Sequence, residues 1–256
     1  MAPTMRFKTF RTLAALAILV LPLALSAAGP AAPAERFPVV VELFTSQGCS
    51  SCPPADALLG KLTTRPDVIS LSLPVDYWDH LGWKDTLASP ANSKRQWAYA
   101  HARGGRSVYT PQMVVNGLVD APGNNPFAID AAIDKAREQL ASDQVAISVR
   151  ENGDVLTLSA AAGGPKNRHN EATFWLVFYS SAVDVPIKRG ENAGKKIRYF
   201  NVVHEMSPVG IWHAKPVEIE LSKRDLGSRG YDGCAILLQT RPSGPIIGAA
   251  ALSDYF

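Results

Sequence analysis

"RFPVVVELFTSQGCSSCPPADALLGKL", residues 36–62, changes character twice. From Val39 to Phe44 it is apolar and largely β-branched or aromatic apart from Glu42, which suits a strand buried on both faces. From Pro53 to Leu62 the residues Ala55, Leu58, Leu59 and Leu62 fall on one side of a helix. Between these lie Cys49 and Cys52, separated by Ser50-Ser51. Such a pair can ligate a metal, close a structural bridge or exchange electrons with other proteins. A helix start offers unpaired N–H groups and a positive dipole end, which stabilise a thiolate. Cys49 is therefore expected to be the more reactive and more exposed thiol, with Cys52 within reach to form the intramolecular disulfide. Pro53 and Pro54 fit the first helical turn, where a missing donor costs little.

Length and composition allow a full core without disulfide staples: 256 residues, 46% hydrophobic. Arg6, Lys8 and Arg11 precede an apolar run from Leu13 to Leu25 and the small residues Ser26, Ala27 and Ala28. That layout reads as a secretory signal over residues 1–28, too short and Pro-interrupted to span a bilayer comfortably. The expected location is periplasmic or secreted, with no membrane attachment after cleavage. Disulfides persist in such compartments. Removing those three cations from 26 basic residues leaves 23, equal to the 23 acidic ones. A near-neutral mature chain gives no reason to expect nucleic acid or an acidic polymer as partner.

The pattern from residue 36 to residue 142 alternates strand and helix. "DVISLSLPV" is a second strand, "SPANSKRQWAYAHARGG" a capped helix, "TPQMVVNG" a short strand, and "NNPFAIDAAIDKAREQLA" an amphipathic helix. This order implies an α/β layer with partly parallel strands. From residue 143 to residue 256 the texture becomes strand after strand. It opens with a hairpin around Asn152-Gly153 and reads as an antiparallel β-sandwich-like domain.

A proline opening a strand, as in Thr110-Pro111, removes a ladder donor and points to a cis bond. Together with C-x-x-C at a helix start, this resembles the thioredoxin-like superfamily. The resemblance implies that Cys49 is the nucleophile, Cys52 the resolving thiol and Pro111 the cis-proline beside them. Thr110 would pair with a bound substrate through its backbone. Glu42 would match a buried carboxylate that carries the proton of Cys52, if one loop residue is inserted; the alternative is a solvent-facing carboxylate. Within that superfamily, "FTSQGCSSCPPAD", "VDYWDHLGWKD", "RQWAYA", "YTPQMVVNG" and "GENAGKK" look like an exported family described as a domain of unknown function. Gly48 stands where thioredoxins carry Trp, and Ser-Ser replaces Gly-Pro between the thiols.

Tyr77, Trp78 and Trp83 are candidates for a peptide-binding groove, because aromatic side chains supply large contact area. The bland alternative is a loop packing its own aromatics. Zinc sites usually take about four ligands, and no second C-x-x-C or spaced His pair occurs. His80 could join the two thiols on copper(I). Lys188, Arg189, Lys195 and Lys196 read as a solvated hairpin, and Cys234 as a buried, inert thiol. The expected function is thiol–disulfide exchange on protein or peptide thiols and disulfides, with no cofactor. The alternatives are a copper(I) carrier and a non-catalytic binding protein whose bridge is locked.

Overall fold

The computed structural model describes residues 37–241 and 243–252, so the expected signal segment lies outside the described residues. The first strand, β1 (Val39–Thr45), is followed by α1 (Pro53–Leu62), β2 (Val68–Pro74), α2 (Pro90–Ala102), β3 (Gln112–Val115), β4 (Val119–Pro122) and α3 (Pro126–Leu140). Then come β5 (Ile147–Asn152), β6 (Val155–Ala160), β7 (Ala172–Pro186), β8 (Lys196–Trp212) and β9 (Val217–Ser222). A short α4 (Lys223–Gly227), β10 (Gly233–Gln239) and β11 (Ile246–Ala251) complete the order.

Local chemistry sets many of these boundaries. Ser89 caps α2 by accepting from Ala91 N, and Asn125 caps α3 by accepting from Ala128 N. A proline follows each cap, at a position that needs no donor. Asn116 and Gly117 both take positive φ, 46° and 69°, and turn β3 back on β4. β4 carries no strand signal in the sequence, because its Val-Asp-Ala-Pro run is too short to show a period.

The fold is mixed α/β. One eight-stranded sheet has the order β11-β10-β7-β8-β2-β1-β3-β4, and a second sheet has the order β5-β6-β9. In the large sheet β1 runs parallel to β2, and β2 parallel to β8, whereas β3 pairs antiparallel with β1. Strands from both sides of residue 142 therefore share one sheet, and the described residues form one compact unit. The join is made at Ser72 opposite Val202, where Asn201 Nδ2 also donates to the carbonyl of Ser70 at 2.8 Å. The strands after residue 142 are divided: β5, β6 and β9 form the small sheet, whereas β7, β8, β10 and β11 extend the sheet begun by β1 to β4.

Strand alternation sorts the core into layers. Val39, Val41 and Leu43 pack with Ala55, Leu59 and Leu62 of α1 and with Ile129 and Ile133 of α3. Val40 and Phe44 face the other way, toward Tyr99 of α2, in a cluster that continues through Val177, Ala235 and Leu237. On the C-terminal strands, Phe174, Leu176, Ile236 and Leu238 meet Leu156 and Leu158 of the three-stranded sheet. By this parity α1, α3 and the small sheet cover one face, and α2 lies on the opposite face.

Candidate functional site

Chain geometry just beyond β1 brings the thiols to the start of α1. Cys49 N donates to Ser46 O, Cys52 N donates to Cys49 O, and Ala55 N and Asp56 N both donate to Cys52 O. Cys52 already has helical dihedrals, φ −78° and ψ −36°, and occupies the N-cap. The two cysteines are joined as a disulfide with Cα atoms 5.4 Å apart. Both are buried: Cys49 is 1% exposed and Cys52 0%, although Ser50 and Ser51 between them face solvent. The greater exposure expected of Cys49 is not seen. The turn at residues 187–195 hydrogen-bonds to the backbone of the cysteine loop, a contact invisible to local sequence reading.

Most of the residues singled out in the sequence converge here. The Thr110–Pro111 bond is cis. A Cβ placed on Gly123 would lie 3.2 Å from Pro111 Cβ and 3.2 Å from Ala55 Cβ, so Gly123 is in close contact with both Pro111 and the first turn of α1. Trp78 bridges the two motifs: its Nε1 donates to Thr110 Oγ1 at 2.9 Å, and its Cβ is 3.2 Å from where Gly48 would carry one. Tyr77 donates to Gln96 Oε1 at 3.2 Å, and burial pushes its hydroxyl up to about 12. Trp83 Nε1 donates at 2.8 Å to Gln47 Oε1, next to the cysteine loop. His80 is exposed, and among the described residues no three His, Cys, Asp or Glu side chains form a metal-sized group.

Glu42 departs from its expected role. It is fully buried, but its parity matches Val40 and Phe44, so it faces α2 rather than α1. Arg95 Nε donates to Oε1 at 2.6 Å, and Tyr99 OH donates to Oε2 at 2.5 Å. Gln239 of β10 completes the network, accepting from Arg95 Nη1 and donating to Tyr99 OH. Both carboxylate oxygens are thus engaged in an ion-pair network on the face opposite α1. Proton transfer to Cys52 cannot run through it.

The buried acid on the α1 side is Asp56, which sequence reasoning missed. It is 2% exposed, and burial pushes its carboxyl up from 3.8 to about 8, against the lowering bond from Thr45; the charge of Asp85 adds to the rise. Thr45, whose parity matches Leu43, donates from Oγ1 to Asp56 Oδ1 at 2.8 Å, while Oδ2 has no partner. Cys52 and Asp56 are separated by four residues, so their side chains share one helix face, and that of Asp56 tilts toward the N-terminus. Around this carboxyl lie Asp85, raised by burial, and the buried Tyr199, whose unpartnered hydroxyl is raised by burial and by the charges of Asp56 and Asp85. The spacing C-x-x-C-x-x-x-D was the available signal.

The family model described as "Protein of unknown function (DUF1223)" matches residues 40–239, from β1 to the end of β10. The chain belongs to the DUF1223 family. The matched span includes both cysteines, Asp56, Thr110-Pro111 and the turn at residues 187–195. An X-ray crystal structure of a protein from Agrobacterium tumefaciens is 34% identical, covers 85% of this chain and 95% of that one, and has a TM-score of 0.73. HBP35 of Porphyromonas gingivalis shares the fold at 14% identity and a TM-score of 0.57, covering 85% of this chain and 75% of that one. Among curated proteins nothing matches.

Proposed function

We propose that this DUF1223 member is an exported thiol–disulfide oxidoreductase acting on protein or peptide thiols and disulfides. In this reading the segment from β1 to α3 is a thioredoxin-like unit, with Thr110 and Pro111 beside the reactive pair. The observation that carries it is a cysteine disulfide at a helix N-terminus with a buried, half-satisfied carboxyl one turn further in.

The chemistry follows from those groups. With the pair reduced, Cys49 thiolate attacks a substrate disulfide, forms a mixed disulfide and releases one substrate thiolate, which takes a proton from solvent. Asp56 carboxylate then accepts the proton of Cys52. The Cys52 thiolate attacks Cys49 Sγ, the mixed disulfide breaks, and the second substrate thiolate leaves. The protein ends oxidised and the substrate reduced; the reverse sequence oxidises a dithiol. A carboxyl pushed up to about 8 by burial is a far stronger base once ionised than an ordinary carboxylate, which suits it to take a proton from a thiol.

Cys49→Ser abolishes exchange in this scheme, whereas Cys52→Ser accumulates mixed disulfides with partners in the periplasm. Gel-shift recovery of thiol-sensitive adducts measures this. A Cys52→Ser protein that folds but traps no partner speaks for a second reading, a binding protein with a locked bridge. The burial of Cys49 is the observation on that side.

A further inference from the structure

The turn between β7 and β8, residues 187–195, was expected to be a solvated basic hairpin. Lys188, Arg189, Lys195 and Lys196 are indeed exposed, but the turn is also fastened to the cysteine loop. Asn192 is fully buried, and its Nδ2 donates to the carbonyls of Gln47 at 3.0 Å and Cys49 at 2.9 Å. Its Oδ1 accepts from Lys195 Nζ at 2.8 Å. The exposed Glu191 carboxylate accepts from Ser50 N at 3.1 Å. Gly190 takes φ +76° and passes so close to Trp83 that a Cβ would lie 3.1 Å from its Cβ. Further along β8, Phe200 lies against Gly60 of α1, where a Cβ would meet its ring at 2.5 Å. The arm therefore clasps both the cysteine loop and the helix that follows it.

We propose that this hairpin tip determines substrate specificity at the disulfide, with Asn192 and Glu191 holding it across Cys49. The inference rests on the exchange reading. Small thiols and extended peptides reach Cys49 Sγ after a slight displacement of the tip, whereas a dithiol on a folded protein surface requires its full release. In either case the incoming thiolate bonds to Cys49 Sγ and Cys52 leaves as thiolate, taking its proton from Asp56. A second thiol, from the same dithiol or from another small-thiol molecule, loses its proton to solvent and displaces Cys49, which leaves as thiolate; the reductant ends as the disulfide.

The test reduces the oxidised mature protein with dithiothreitol and, separately, with reduced thioredoxin as a bulky dithiol, following disulfide loss by alkylation and mass. Asn192→Ala removes two hydrogen bonds that hold the tip, so its rate with the bulky dithiol should rise by on the order of tenfold more than its rate with dithiothreitol. Any change in the potential of the disulfide is shared by both reductants and cancels in that comparison. Glu191→Gln, at an exposed position, moves the ratio the same way by a smaller factor and serves if Asn192→Ala does not fold. An unchanged ratio in the folded variants overturns the proposal. Wild-type protein inert to both reductants at neutral pH fails the exchange reading instead. The cover is then read on protein reduced in denaturant and refolded. Labelling of Cys49 by iodoacetamide but not by a polymer-bearing maleimide supports it, and equal labelling overturns it.

Discussion

Asp56 is the carboxyl through which folding and the proposed exchange chemistry would be coupled. Its pKa is raised in the fold, chiefly by burial, so between about pH 4 and pH 8 the folded state holds a proton that the unfolded state has lost. Stability contributed by that proton is fully present below 3.8 and falls as pH rises through about 8. The slope is at most about 1.4 kcal/mol per pH unit. Urea unfolding of the oxidised protein at pH 5 and pH 7.5 should show this decline, and Asp56→Asn should flatten it. The same variant tests the chemistry. When reduced protein meets dithiobis(nitrobenzoate), the first thionitrobenzoate comes from attack by Cys49 and the second from resolution by Cys52. Asp56→Asn should slow the second phase by about a hundredfold relative to the first, the lower range of general-base effects. Equal effects on both phases would assign Asp56 a structural role only.

Strand alternation explains why Glu42 and Asp56 differ. On β1 a shift of one residue moves a side chain to the other face of the sheet. Glu42 points toward α2, where it ties three elements together through Arg95, Tyr99 and Gln239. Glu42→Gln would leave the guanidinium of Arg95 buried without its counter-charge. Unfolding free energy should fall by about 3–5 kcal/mol, the usual cost of breaking a buried pair from one side. Chemical denaturation measures this, and a loss below about 1 kcal/mol, typical of surface pairs, would show that the network is solvated. Resolution by Cys52 should change far less than in Asp56→Asn, since Glu42 is on the opposite face from α1.

At the scale of the molecule, the large sheet makes the two halves interdependent. A chain ending at residue 142 keeps β1 to β4 but loses β8 beside β2, and Val177, Ala235 and Leu237, which share a cluster with Phe44 and Leu71. It would leave β2 as a bare hydrophobic edge. Residues 37–142 expressed alone should therefore aggregate or show no cooperative unfolding by circular dichroism, whereas a sharp two-state transition would show that they fold independently. Local signals made β1, α1, α2, β3, α3 and the hairpin of β5 and β6 legible, because caps, prolines, Asn-Gly turns and apolar periods act within a few residues. The same local chemistry placed Cys49 and Cys52 at a helix start and marked Thr110-Pro111. Only the tertiary structure decided which face Glu42 takes, that Asp56 is the buried acid beside α1, and that Asn192 lies over Cys49 from 143 residues away. These outcomes depend on strand register and on β8 docking beside β2, and pairings between distant segments leave no period in the sequence.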